Sequence, residues 1–193
     1  ILAKAKKAAE TAEVFMVSSE DTSVHFETNR LKHVQSKQSV TVSLRVIKKG
    51  RIGYATATTL DNAQELVDMA IETAQFGQKA EFEFPTLTAY HQYRIFDASV
   101  AKVSPETMTR LGEEMISKVR KGTPGLLCEG GVGRSVTTVS LMNSRGGQAS
   151  YKESHFSLGV EGQLVRDTDM LFVGESQSSC RPILETGEIT EVV

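Results

Sequence analysis

From Ser39 to Lys48 the chain places Val40, Val42, Leu44 and Val46 at every second position; it breaks at Lys49-Gly50 and resumes a strand-like run from Arg51 to Thr58. Period-two alternation puts one set of side chains on one face of a strand. The Lys49-Gly50 dipeptide closes a hairpin, because glycine supplies a positive φ at little steric cost. Strands joined this tightly pair antiparallel, since parallel neighbours need a long crossover, so a doubly wound parallel sheet is disfavoured. Behind the hairpin, Ala63, Leu66, Val67, Ala70, Ile71 and Ala74 form one apolar stripe at helical spacing. Asp61 or Asn62 can cap that helix, and Gly77 suits a left-handed residue past its end.

The rest of the chain repeats this alphabet. Ile1 to Ala9 reads as a short Ala/Lys helix ending near Glu10 to Ala12, and Glu13 to Ser19 and Thr22 to Asn29 read as two strands. Gln78 to Val103 carries Pro85 and scattered aromatics (Phe82, Phe84, Tyr90, Tyr93, Phe96) and is expected as an irregular crossing with at most one strand and a packed satellite core. Ser104-Pro105 opens a second helix lined by Met108, Leu111, Met115 and Val119, which Gly122 and Pro124 stop. Leu126 to Ser178 returns to strand composition, broken by Arg145-Gly146-Gly147, Gly159 and Gly162.

Both halves thus read as a helix followed by strands, and identities recur between them. Thr22, Val24, Arg30, Lys37 and Ser39 return 115 residues later as Thr137, Val139, Arg145, Lys152 and Ser154; Ser43-Leu44 and Val46 return at 114 as Ser157-Leu158 and Val160. The fold expected is α+β: two α-β repeats, at about 1–77 and 104–179, with antiparallel sheet and flanking helices, duplicated within one domain of residues 1–179. Residues 180–193 are expected as a linker or as the start of a carboxy-terminal β-rich domain. The chain opens on Ile1 inside a helical pattern, which suggests part of a longer protein.

Composition excludes several function classes. The 193 residues carry 22 Lys and Arg against 24 Asp and Glu, a net charge of -2 and a pI near 6.1, which leaves no basic excess for a phosphate backbone. No apolar run approaches the length of a membrane span or a signal-peptide core. The reading is a cytoplasmic protein with no direct nucleic-acid and no membrane partner. Cys128 and Cys180 form no CxxC pair and read as reduced thiols.

Nor does any motif for catalysis assemble. His25, His33, His91 and His155 show no H-E-x-x-H spacing, although His25 and His33 can meet across a hairpin. Gly130-Gly131-Val132-Gly133-Arg134-Ser135 lacks the G-K-[ST] ending of a phosphate loop and reads as a turn or bulge. Asp167 and Asp169 stand two apart at a strand end without a specific signal. No catalytic, cofactor-binding or metal-binding residue is assigned.

Order and spacing nevertheless carry a resemblance. Ser43-Leu44-Arg45-Val46-Ile47-Lys48-Lys49-Gly50-Arg51-Ile52-Gly53-Tyr54-Ala55-Thr56 resembles the hairpin of TldD/PmbA (TldE) proteins, and the helix with Leu66-Val67 and Ala70 follows in the same order. Val139-Ser140-Leu141-Met142-Asn143-Ser144-Arg145-Gly146 looks like the family's Asn-Ser-x-Gly turn. The resemblance implies the amino-terminal domain of a two-domain protein in a metallopeptidase assembly that degrades or matures peptides. The family has also been called modulator of DNA gyrase. In that family the metal motif lies in the second domain, so no cofactor is expected in this chain and zinc is expected outside it. The implied partners are a homologous subunit, as homo- or heterodimer, and an unfolded or extended peptide; the implied contribution is dimerisation and a substrate chamber. The alternative is a non-catalytic PmbA-like partner or scaffold that captures extended peptides. In structural terms Gly50 and Gly53 are expected to permit a turn and a close approach, Asn143 a turn, and Arg45 a pairing with a carboxylate or backbone carbonyls.

Overall fold

The computed structural model describes residues 1–86 and 89–190. Helix α1 (Leu2–Ala8) leads into strands β1 (Thr11–Glu27), β2 (Arg30–Lys48) and β3 (Arg51–Ala57), then helix α2 (Ala63–Ala74). After an irregular crossing and a 3-10 turn at Val100–Lys102 the order recurs: α3 (Pro105–Gly122), β4 (Leu127–Asn143), β5 (Gln148–Arg166), β6 (Asp169–Ser179) and α4 (Gly187–Thr190). The six strands form one antiparallel sheet in the order β3-β2-β1-β4-β5-β6. The fold is α+β, built from two helix-plus-three-strand repeats.

Strand lengths support the duplication more strongly than the residue identities do. β1 and β4 each have 17 residues, and β2 and β5 each have 19. β4 starts 116 residues after β1 (127 against 11), and β5 starts 118 after β2 (148 against 30). The identities at 115 and 114 therefore do not superimpose strand on strand. The step from 116 to 118 comes from the hairpin turns: Thr28–Asn29 is two residues long, whereas residues 144–147 make four.

The chain gathers into two compact units, and neither is a sequence repeat. Unit 1 comprises Ile1–Ser19, Gln38–Arg94 and Thr137–Lys152; unit 2 comprises Glu20–Lys37, Ile95–Val136 and Glu153–Val193. Each draws strand segments from both repeats. In unit 1, Ala12, Val42, Leu44, Val46 and Ala55 bury one sheet face beneath Leu66, Val67, Ala70 and Ala74 of α2 and Ala5 of α1. In unit 2, Val24, Phe26, Cys128, Val132, Phe156, Leu158 and Val160 pack under Met108, Leu111, Met115, Ile116 and Val119 of α3. Ile189 of α4 is buried in this second core.

Several local expectations shift for physical reasons. Glu20-Asp21 does not interrupt the chain, so the two strands expected before Asn29 are the single strand β1. Residues 31–38 are polar or isolated apolar side chains, all exposed, and carry no alternation, which hid the first half of β2. Asn62 is the cap of α2: its side chain accepts from the Glu65 N–H at 3.2 Å. Ser104 caps α3 in the same way, accepting from Thr107 N–H with Pro105 in the first turn. Gly77 is not left-handed, because α2 ends at Ala74 with right-handed Gln75 as its cap. Gly77 is needed for space instead: a Cβ there would sit 1.7 Å from the Ile52 carbonyl oxygen. β5 likewise runs through Gly159 and Gly162 unbroken, and a Cβ at Gly162 would strike Leu126 at 2.3 Å.

Candidate functional site

A concavity of about 1240 Å³ lies on unit 2, on the sheet face opposite its helices. Its origin is strand alternation. Val24 and Phe26 of β1, Leu158 and Val160 of β5 and Val132 of β4 point into the core, so Ser23, His25, Gly131, Gly133, Ser157 and Gly159 face the other way. Ser23, Gly131, Gly133, Ser157 and Gly159, with Gly174 and Ser176 of β6, make a floor of small residues across four strands. Glu129, Glu161, Gln163, Phe172 and the two histidines stand at its rim.

Two devices shape this end of the sheet. Thr28 and Asn29 both take positive φ (51° and 65°), giving the two-residue turn between β1 and β2 its twist. Asn29 is tied to β4: its N–H donates to the Cys128 carbonyl at 2.9 Å, and its side-chain oxygen accepts from the Cys128 N–H at 2.8 Å. The hairpin brings the His25 and His33 rings to 5.2 Å between centroids, as their spacing allows. Next to them Lys32 bonds Glu27 at 2.9 Å and holds its carboxyl below the usual range. Gly130 and Gly131 form neither a turn nor a phosphate loop; they lie inside β4. A Cβ at Gly130 would meet the Gly159 carbonyl oxygen at 2.3 Å, and one at Gly131 the Val24 carbonyl oxygen at 2.5 Å. Glycine is required there by the close approach of neighbouring backbone.

The remaining candidates do not converge. His91 stacks edge-on against Tyr93 at 4.7 Å, and His155 is an exposed residue of β5. Asp167 occupies the β5–β6 turn with φ of 52°, and Asp169 opens β6. Cys128 is fully buried, and that burial pushes its thiol up against a smaller pull from Arg120, which leaves it a poor nucleophile. Among the described residues no group of three or more His, Cys, Asp or Glu is placed to hold a metal ion. Sequence reasoning did not mark the rim residues Glu129, Glu161, Gln163 and Phe172. Their signal was the complement of the core pattern: positions 129, 131, 133, 157, 159 and 161 are small or polar and each adjoins a buried Cys128, Val132, Phe156, Leu158 or Val160.

The matching sheet face of unit 1 is covered by the chain itself. Glu13, buried on β1, accepts an ion-pair hydrogen bond of 2.5 Å from Arg45 of β2. The Arg45 guanidinium lies 5.1 Å from the Phe82 ring centre and 5.2 Å from that of Phe84, within cation–π reach. Asn143 is buried and fully engaged: its side-chain oxygen accepts from Arg145 and Gly147 N–H at 3.0 Å each, and its amide donates to the Pro85 carbonyl at 2.8 Å. Arg145 pairs with Glu83, and the Tyr90 hydroxyl bonds the Ser150 backbone. Of the aromatics expected to pack as a satellite core only Phe84 is buried; Phe82, Tyr90, Tyr93 and Phe96 stay exposed.

Replacing Arg45 by Met removes the counter-ion of a carboxylate whose side chain is only 8% exposed. Because Arg45 itself is 47% exposed, the expected loss is about 2 kcal/mol rather than that of a fully buried pair. Adding Glu13→Gln should restore part of it, and chemical denaturation of the two single variants and the double variant measures the coupling.

Comparison with known proteins places these features. Residues 12–74 match the family model described as PmbA/TldA metallopeptidase domain 1. An uncharacterized protein of Methanocaldococcus jannaschii is 24% identical over 183 residues, 93% of this chain and 40% of its own length. Among solved structures, TldE of Thermococcus kodakarensis superimposes with a TM-score of 0.89 at 16% identity, over 98% of this chain and 44% of that one. A protein of Thermotoga maritima described as a candidate modulator of a DNA gyrase gives 0.86 at 16%, covering 99% and 44%. One of Bacteroides thetaiotaomicron with the corresponding description gives 0.85 at 17%, covering 98% and 46%. This chain spans less than half the length of each of these relatives.

Proposed function

We propose that this chain, an amino-terminal domain of the PmbA/TldD family, serves a cytoplasmic zinc metallopeptidase assembly as a non-catalytic part that helps form the dimer and walls the chamber in which peptides are cut or matured. The observation that carries this reading is the combination of the match over residues 12–74 with whole-chain superposition on less than half of TldE. No metal-holding cluster exists among the described residues, the one fully buried thiol is raised by its burial, and the histidines do not group beyond one pair. Zinc in such an assembly is held outside these residues and supplies the Lewis-acid chemistry of peptide hydrolysis; no step of that chemistry is assigned to this chain. What the chain offers is a broad open groove with a small-residue floor, suited to backbone rather than to one particular side chain. No described helix is long and apolar enough to cross a membrane.

The test is hydrolysis of a quenched-fluorescence peptide library by the natural gene product, purified with whatever homologous subunit accompanies it. Cleavage that a chelator abolishes and that the isolated 193 residues do not show is the expected result. Cleavage by the isolated residues would overturn the assignment of a supporting role.

A further inference from the structure

The duplication supplies a direct comparison between the two open sheet faces. Glu13 is the third residue of β1 and Glu129 the third of β4; Arg45 is the sixteenth of β2 and Gln163 the sixteenth of β5. Glu13 and Arg45 pair with each other, and Arg45 lies under an irregular stretch of this same chain, with Phe84 buried and Pro85 hooked by Asn143. The second member of each pair lines the bare groove. In unit 1 the face thus receives an irregular segment that presents an aromatic ring. Unit 2 has the equivalent positions and nothing over them among the described residues.

Charge selects the kind of segment. Glu129 and Glu161 are among the lining residues of the groove, and none of the lining residues is Lys or Arg. On unit 1 the face carries the Glu13–Arg45 pair, and Arg145 of the β4–β5 turn pairs with Glu83 of the covering segment. In unit 2 Glu129 keeps the acidic position while Gln163 replaces the arginine, so this face carries unneutralised acid and the complementary segment is cationic.

We propose that the groove of unit 2 docks an extended lysine- or arginine-rich peptide carrying an aromatic residue, its ring laid on the glycine floor and its cations set against Glu129 and Glu161. This deepens the peptide-handling reading and rests on it, naming the class of peptide this groove holds.

The experiment uses the purified 193-residue chain and a fluorescein-labelled decapeptide of alternating lysine and threonine with a central tyrosine. A matched peptide has glutamate in place of lysine. Fluorescence anisotropy should show saturable binding of the basic peptide, weakening as salt rises, and no binding of the acidic one. Glu129→Gln with Glu161→Gln should weaken binding about tenfold. Ser157→Tyr, which lays a ring on the floor from its open face, should abolish binding while the thermal transition stays in place. Equal binding of both peptides, or binding that survives both sets of substitutions, overturns the proposal; so does self-association of the free chain that Ser157→Tyr disrupts, since the groove would then belong to a second copy. The readout is binding rather than hydrolysis, so failure here leaves the peptidase reading standing, and failure of that reading leaves this binding measurable.

Discussion

Gly53→Val should lower the stability of this chain by about 3 kcal/mol, through overpacking rather than through any loss of turn geometry. A Cβ at Gly53 would fall 2.1 Å from the Ala70 carbonyl oxygen and 2.6 Å from Ala74 Cβ, so β3 and α2 touch backbone to backbone at that position. Neither can yield alone: Gly53 pairs with Val46 in the sheet, and Ala70 and Ala74 lie in the core of unit 1. Gly50 provides the contrast. Its φ is +68° and nothing lies within 4 Å of a Cβ there, so Gly50→Ala should cost only about 1 kcal/mol, the strain of a left-handed conformation. Thermal melting should separate the two, with Gly53→Val lowering the midpoint by roughly 6–12 °C for a chain of this size. Equal shifts would mean that the helix does not rest on the strand as described.

Asn143→Ala should cost about 3 kcal/mol, although it removes no core packing. The Arg145 and Gly147 N–H groups lose their acceptor, and the Pro85 carbonyl loses its donor. Asn143→Asp keeps both accepted bonds and loses the donated one, and should fall between wild type and Ala. The effect has a local signature besides the melt. Pro85 fastens the segment that carries Phe82 and Phe84, so tryptic cleavage at Lys79 and Arg94 should quicken in Asn143→Ala. Unchanged cleavage together with a lowered melt would place the loss in the turn alone.

These two positions show how far the residues disclose their own use. Gly50 was legible as a turn because a Lys-Gly pair between alternating strands admits few other readings, and the turn has positive φ at both Lys49 and Gly50. The stripe of α2 was legible because burial at Leu66, Val67, Ala70 and Ala74 follows helical spacing. Gly77 misled because glycine after a helix signals a left-handed cap, whereas its need arises from Ile52, twenty-five positions earlier. No local pattern encodes a neighbour that distant. The same holds for Gly130 and Gly131, whose constraints come from the carbonyls of Gly159 and Val24.

The candidate groove was hidden for a related reason. Its floor is made of residues whose value is the absence of a side chain, and such positions become a surface only when four strands are aligned. The His25–His33 contact was foreseeable from one hairpin, since both residues belong to it. Arg45 was foreseen as a partner for a carboxylate, but Glu13 could not be named because the β1–β2 register is not written in either segment alone. The duplication was legible in the order of elements, yet the residue identities used to support it fall one to four positions off the strand register, since unequal hairpin turns shift the second half.

The most direct test of the central claim is the zinc content, per chain, of the natural gene product purified with its homologous subunit, measured beside that of the isolated 193 residues. The account predicts stoichiometric zinc in the assembly and none in the isolated chain. Stoichiometric zinc in the isolated chain, or an assembly that cleaves peptides without zinc, would contradict it.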